Sequence, residues 1–328
     1  MPGLGRASSL YNNVHAFVFL DSFVNGILVI DKPAGLTSHD VVNRVRRLLQ
    51  QRSVGHLGTL DPSATGVLPL ALGNLTRLSQ FYNNSQKVYE GTIRFGFSTD
   101  TYDGDGEPTS APKPMTFTPS ELRKAAARFT GSIKQTPPRF SAKKIQGVPA
   151  YKLARKDKDF ELKPVGVEIS ELEILSFDGE RASFHARVSS GTYMRSLAHD
   201  LGQQLECGAY LESLRRTEVA EFLLKDAHTL EDLESAIEIQ PMSEFLVHPR
   251  KLLPSFPCVT ATEENAALIR NGRPLNLPEM SRARLVKVFL GQAELIAIAT
   301  RVAGTLFHPG IVFATEPEKA LAGRELGR

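Results

Sequence analysis

Residues 55–73 read GHLGTLDPSATGVLPLALG. One carboxylate, Asp61, stands directly before a proline, between glycines, in an otherwise apolar run. It reads in two ways, as a turn residue or as a charge held in a dry pocket. The Asp-Pro bond restricts Asp61 to extended backbone, because the following ring disfavours the right-handed helical region at that position. Gly55, Gly58 and Gly66 allow sharp turns and close approach by another molecule. With Val67, Leu68, Leu70 and Leu72 nearby, a carboxylate fixed here is partly desolvated, and desolvation alone would neutralise it. An aspartate kept ionised as a nucleophile needs a fixed cation, and arginine is the one that does not lose its charge. The chain offers Arg195, beside Tyr193, on a strand-to-helix turn in SSGTYMRSLAHDLG (189–202). Spacing alone does not establish that Asp61 and Arg195 meet.

Outward from this stretch, NGILVIDKPAG (25–35) reads as a strand ending in a turn. TSHDVVNRVRRLLQ (37–50) reads as a helix, with Thr37 and Asp40 as a capping-box-like start. Val41, Val42, Val45, Leu48 and Leu49 share one helical face. The opposite face, with Asn43, Arg44, Arg46 and Arg47, is either solvated or turned towards phosphates. KVYEGTIRFGFSTDTYDGDGEP (87–108) reads as a strand followed by a flexible, acidic hairpin turn. The turn lacks the twelve-residue ligand spacing of a calcium loop. TPSELRKAAARFTG (118–131) has Thr/Ser at its start, Pro119 near the first helical position and Gly131 at its end. VEISELEILSFDG and RASFHARVSSGTYMRSLAHDLGQQL, within 167–205, read as two strands and a helix opening after Gly191. A further strand is expected near TEVAEFLL.

The segment RFSAKKIQGVPAYKLARKDK (139–158) carries Arg139, Lys143, Lys144, Lys152, Arg155, Lys156 and Lys158 against the single acid Asp157. Phe140 and Tyr151 are interleaved. Such a segment suits phosphate neutralisation with counterion release, or is simply a solvated loop. Around LLPSFPCVT (252–260) two prolines suggest a linker, and RLVKVFL and AELIAIATR beyond it alternate as in a small β domain. Sheet mixed with helices, then a β module, is an α+β architecture.

The whole chain has 328 residues, enough for two domains, with an ordinary 41% hydrophobic and 23% charged content. Lys plus Arg exceeds Asp plus Glu by 39 to 36, too little to mark a nucleic-acid binder without the local clustering. Cys207 and Cys258 fit neither a disulfide framework nor a zinc knuckle, which points to a reducing cytosol and a cytoplasmic protein. No apolar run approaches the roughly 20 residues that span a bilayer. His39 and His199 have no neighbours at metal-ligand spacing and are expected to be structural. With no self-complementary stripe visible, a monomer without an obligate protein partner is the expectation.

GHLGTLDPSATGVLPLALG, KVYEGTIRFG, QTPPRFSAKKIQGVPAYKLAR and SSGTYMRSLAHDLG together, in this order, resemble the TruB family of tRNA pseudouridine synthases. The similarity runs from about residue 24 to 245, and the tail resembles that family's small PUA-like RNA-binding domain. The resemblance implies the pseudouridine synthase fold, a large mixed and mostly antiparallel sheet with flanking helices. The implied organisation is an extension over 1–23, a catalytic domain over 24–250 and a PUA-like domain over 251–328. It also implies isomerisation of uridine 55 in the T loop of tRNA to pseudouridine, without cofactor or metal. Cleaving a glycosidic bond calls for a carboxylate near the anomeric carbon, and water must be kept out while the base turns.

By the same resemblance Asp61 is the nucleophile, with C1′ attack, C6 attack and a glycal route all open. Tyr89 stacks on the target base and assists removal of the C5 proton, and Arg195 pairs with Asp61. Tyr193 and Leu214 line the uridine pocket, and His56 fills the gap left by the flipped nucleotide. Lys143 and Lys144 fall in the basic segment that grips the T stem. Lys32 matches a motif of structural role. Two rivals remain, a guide-RNA-dependent enzyme of the same fold and an RNA-folding factor whose chemistry is incidental or lost.

Overall fold

The structure is a computed structural model that describes residues 23–141, 143–156, 159–237 and 239–313. The extension expected over 1–23 lies outside the described residues apart from Phe23, as do Asp157 and Lys158 of the basic segment and the tail beyond 313. In chain order the first elements are β1 (Gly26–Lys32), α1 (Ser38–Leu48), β2 (Val54–His56), β3 (Thr65–Leu72), α2 (Ser79–Tyr82) and β4 (Lys87–Phe95). Next come α3 (Pro119–Ala127), β5 (Gly131–Gln135), a small hairpin of β6 (Lys144–Ile145) and β7 (Val148–Pro149), and α4 (Ala150–Ala154). They are followed by β8 (Val165–Phe177), β9 (Arg181–Val188), α5 (Met194–Gln204), β10 (Ala209–Val219), β11 (Phe222–Leu223) and α6 (Leu230–Ala236).

Nine of these strands form one sheet in the order β1-β3-β10-β4-β9-β8-β5, with β2 paired to β3 and β11 to β10. Every pairing is antiparallel except β3 with β10, which run parallel. The sheet is therefore mixed and mostly antiparallel, as expected. The tail forms β12 (Cys258–Ala261), α7 (Glu263–Arg270), β13 (Leu275–Asn276), β14 (Leu285–Leu290), β15 (Glu294–Ala303) and β16 (Leu306–Val312). Its five strands make a separate sheet in the order β12-β14-β15-β16-β13, a C-terminal β domain.

Local chemistry explains the helix starts. At α1 the Thr37 hydroxyl accepts from the Asp40 amide at 3.1 Å, and the Asp40 carboxylate accepts from the Thr37 amide at 2.9 Å. Thr118 and Glu121 make the same reciprocal box at α3, with Pro119 in the first turn. The basic face of α1 is used within the protein: Arg44 meets Glu231 and Glu234 on α6, and Arg46 donates to the Val54 carbonyl. Within the protein, salt bridges and a backbone bond engage these two arginines.

Strand alternation sorts the core onto the two faces of the large sheet. Leu28, Ile30, Leu68, Leu70 and Leu72 join Val41, Val42 and Val45 of α1, Leu122 of α3 and Leu197 and Leu201 of α5 in one cluster. Ile27, Val29, Val67 and Ala71, pointing the other way, join Val219 and Phe222 in a second cluster. That second cluster continues through Leu252 and Leu253 into Phe289, Leu295, Ile298 and Ile311 of the small sheet. The expected linker thus begins in a joint core and does not behave as an exposed tether. Its prolines lie just beyond two leucines that are 0% and 6% exposed.

Candidate active site

The loop between β2 and β3 carries Asp61, and buried polar groups anchor it from below. Ser38, at the first turn of α1, donates to the Leu60 carbonyl at 3.1 Å and accepts from the Leu60 amide at 2.8 Å. The Lys32 ammonium donates to the carbonyls of Pro33, Leu36 and Pro62, at 2.8, 2.7 and 3.1 Å. Burial lowers its pKa to about 8, against the opposing pull of the Asp61 charge. Arg216, fully buried on β10, donates to the carbonyls of Val67, Thr59 and Gly58, at 2.8, 3.1 and 3.1 Å. A strand-and-turn frame of obligate backbone acceptors is thereby held by three side chains that cannot leave without orphaning them.

On this frame Asp61 Oδ2 lies 2.9 Å from Arg195 Nη2. Arg195 is in the first turn of α5, which opens after Gly191 as the sequence predicts. Its side chain is 8% exposed, that of Asp61 42%. The guanidinium is therefore buried while the carboxylate opens into the cleft, so the expected dry pocket is incomplete in the protein alone. Val67, Leu68, Leu70 and Leu72 do not enclose the carboxylate, because β3 carries them down into the two cores.

A second carboxylate shares the arginine. Asp103 Oδ2 lies 3.3 Å from Arg195 Nη1, and the guanidinium also donates to the carbonyls of Thr101 and Phe140, at 3.3 and 3.0 Å. Burial pushes the Asp103 carboxyl up, while a hydrogen bond from Thr101 and the Arg195 charge pull it down. Asp103 belongs to the acidic turn that reads as a flexible hairpin in the sequence. The structure corrects that reading, since the turn is pinned by Thr99 Oγ1 to the Asp103 carbonyl at 2.7 Å and by Leu211 N to the Tyr102 carbonyl at 3.0 Å. Nothing local in an Asp-Gly-Asp-Gly run announces a distant arginine, which is why sequence reasoning misses Asp103.

Of the cavities that the Asp61–Arg195 pair borders, two are large. One, of about 290 Å³, is lined by Tyr89, Tyr193 and Leu214, the three residues expected around the uridine, together with Lys87 and Arg216. Tyr193 is held by Gln135, whose side chain accepts from the Tyr193 amide at 2.8 Å and donates to its carbonyl at 3.0 Å. Burial lowers the pKa of Lys87 to about 8, helped by the Arg216 charge. Lys87 stands two residues before Tyr89, so the two-residue period of β4 was the signal that could have found it. The other cavity, of about 400 Å³, contains His56 with His39, Tyr151 and Arg155. Burial lowers the pKa of His56, with the charge of Arg216 acting in the same direction. Lys143 and Lys144 are exposed at the β6–β7 hairpin and line neither cavity. Among the described residues no group of three or more His, Cys, Asp or Glu is arranged to hold a metal ion.

Residues 46–194 match the TruB family pseudouridylate synthase N-terminal domain, and residues 195–248 match the tRNA pseudouridylate synthase B C-terminal domain. A tRNA pseudouridine synthase B from Solibacter usitatus is 49% identical over 88% of this chain and 100% of its own length. The chain belongs to the TruB family. Another TruB-family relative, the tRNA pseudouridine synthase B of Geobacter sulfurreducens, is 39% identical over 86% of this chain and 95% of its own length. Among solved structures, the archaeal box H/ACA Nop10–Cbf5 complex contains a chain of similar fold, with a TM-score of 0.64 and 25% identity over 89% of this chain and 87% of that one. The two matched family segments meet between Met194 and Arg195, so the Asp61–Arg195 pair joins residues drawn from both.

Proposed function

We propose that this chain isomerises uridine 55 in the T loop of tRNA to pseudouridine, with Asp61 as the nucleophile. The observation that carries the reading is the 2.9 Å pair between Asp61 and the buried Arg195, set at the mouth of a cavity walled by Tyr89, Tyr193 and Leu214. The reaction breaks the N1–C1′ bond and forms a C5–C1′ bond, while C5 gives up one proton and N1 gains one. Atoms and electrons balance within the nucleotide, so the chemistry requires no cofactor. What it requires is a fixed negative charge at the sugar and a site that keeps the free base from escaping.

Each residue then has a role. Asp61 supplies the charge, on a loop that Lys32, Ser38 and Arg216 hold in place, so little reorganisation is needed at the moment of reaction. Arg195 pairs with Asp61 and orients it, with Asp103 fixing the guanidinium from the other side. Tyr89 stacks on the flipped base and assists removal of the C5 proton, while Tyr193 and Leu214 close the pocket around it. His56 occupies the space in the RNA loop that the extruded uridine leaves, at a cost of a few kcal/mol for unstacking. Because Asp61 remains 42% exposed in the protein alone, the bound nucleotide itself completes the enclosure. Lys143 and Lys144 contact stem phosphates, and the C-terminal β domain serves as a PUA-like RNA-binding surface. The protein acts as a cytoplasmic monomer on tRNA without a guide RNA.

The test is incubation of the purified protein with an unmodified tRNA transcript, no guide RNA added, followed by mapping of pseudouridine. Conversion at position 55 alone is expected. No conversion, or conversion only when a guide RNA is supplied, would overturn the reading.

A further inference from the structure

One face of α5 meets the acidic turn at three successive helical turns. Arg195 binds Asp103 and the Thr101 carbonyl. His199 stacks its ring on Tyr102, with centroids 3.8 Å apart and planes 15° from parallel. Gln203 donates to the Ser98 hydroxyl at 3.3 Å, where the turn begins. The spacing of four residues is what places these side chains in one row.

Tyr102 is the centre of that row. It lies between Thr101 and Asp103, two of the four residues whose oxygens hold Arg195. Its backbone has φ of +64°, the left-handed region that side-chain-bearing residues seldom adopt. Glycine would take that conformation freely but would offer His199 no ring. The histidine makes a matching case. Among the described residues its buried Nδ1 has no hydrogen-bond partner, so polar pairing of that atom does not explain where the ring sits. Burial lowers its proton affinity, which leaves an uncharged ring at neutral pH. Strain on one side and an unpaired ring nitrogen on the other are both accounted for if the stack itself is what the fold retains.

We infer that Tyr102 and His199 are positioning residues, whose stacked rings hold the turn against α5 so that Asp103 fixes the Arg195 guanidinium in register with Asp61. The inference rests on the reading of Asp61 and Arg195 as the reacting centre. The stack touches neither Asp61 nor the uridine cavity, so it acts on the rate of the chemical step through Arg195 and not on RNA affinity.

The experiment compares single-turnover rates on an unmodified tRNA transcript with the Kd for the same transcript. Tyr102→Gly removes the ring without adding backbone strain, and His199→Ala removes the partner. Each is expected to slow the single-turnover step roughly ten- to hundredfold while leaving Kd within about twofold. The double variant should be no slower than the slower single, because both remove one contact. Tyr102→Phe keeps the stack and should restore the rate. Wild-type rates in Tyr102→Gly, losses that multiply in the double variant, or a fall in affinity matching the fall in rate would each overturn the inference. An active wild type with equally fast variants sinks this inference alone, whereas an inactive wild type sinks the reading of the site as well.

Discussion

Arg195 serves two carboxylates and two carbonyls with one guanidinium, a task that suits a planar fork of five donors and no other side chain. Arg195→Lys keeps the charge but offers a single point of donation, so it should lower the single-turnover rate by roughly a hundredfold or more. A lysine variant as fast as wild type would show that charge alone suffices. Asp61→Asn retains shape and hydrogen bonding but removes the negative charge. It should abolish pseudouridine formation while leaving tRNA affinity within about threefold, since uncharged contacts to the RNA persist. Residual turnover in that variant, measured by tritium release from C5, would rule out Asp61 as the nucleophile. Both residues stood out as candidates for a local reason, an Asp-Pro turn among glycines and an arginine at a helix opening, but their pairing was legible only through the family resemblance. Asp103 was not, because its meaning lies in a contact with α5 that no spacing along the turn encodes. The same holds for Arg216, which reads as one basic residue in LRRT until β10 is seen to pass beneath the Asp61 loop.

At the scale of elements, the Asp61 loop is only as precise as the junction of β3 with β10. Gly66 pairs with Arg216 there, at φ of +101°, and a Cβ on it would lie 2.2 Å from the Arg216 carbonyl oxygen. Gly66→Ala must push two central strands apart as well as strain its backbone, so it should destabilise the fold by about 3 kcal/mol or more. Urea unfolding monitored by circular dichroism would test this, and a loss below about 1 kcal/mol would mean that the strands yield easily. Lys32 anchors the loop from the other side. Lys32→Met leaves the carbonyls of Pro33, Leu36 and Pro62 without their donor inside a dry interior, at a cost of about 2–4 kcal/mol. An equally stable methionine variant would show that water replaces the ammonium. Several elements were readable in advance: the α1 capping box, the capped start of α3 and the α5 opening all have local causes, whereas the apolar run of β3 was read only as surroundings for Asp61. The β6–β7 hairpin was not, because KKIQGVP has charge and a turn but too few apolar residues to signal strands.

For the molecule as a whole, the question is whether the two sheets are separate bodies. Pattern and prolines suggested a linker near residue 252, and the change from one sheet to another does fall there. What the pattern could not reveal is that Ile27 and Val29, on the second face of the large sheet, need a cover. The C-terminal domain supplies it. Leu252, Leu253, Phe289, Leu295, Ile298 and Ile311 complete that core, and polar bonds reinforce the seam. Lys287, 1% exposed, donates to the carbonyls of Arg250 and Leu252, at 2.9 and 2.5 Å. Glu221 accepts from Tyr82 and from the Leu253 amide, at 2.5 and 2.8 Å, and Arg77 donates to the Val312 carbonyl at 2.7 Å. Burying a large aliphatic or aromatic side chain contributes about 1.5–3 kcal/mol, so these six are comparable with the whole stability of a domain, about 5–15 kcal/mol. The two sheets should therefore melt together. Calorimetry of the full chain is expected to show one transition whose van't Hoff and calorimetric enthalpies agree. A chain ended after Lys251 should lose most of its stability or aggregate, because Val219 and Phe222 would face water. Two separate transitions in the full chain, or a truncated protein that melts at the full-length temperature, would mean that the seam is only a contact and that the domains fold independently.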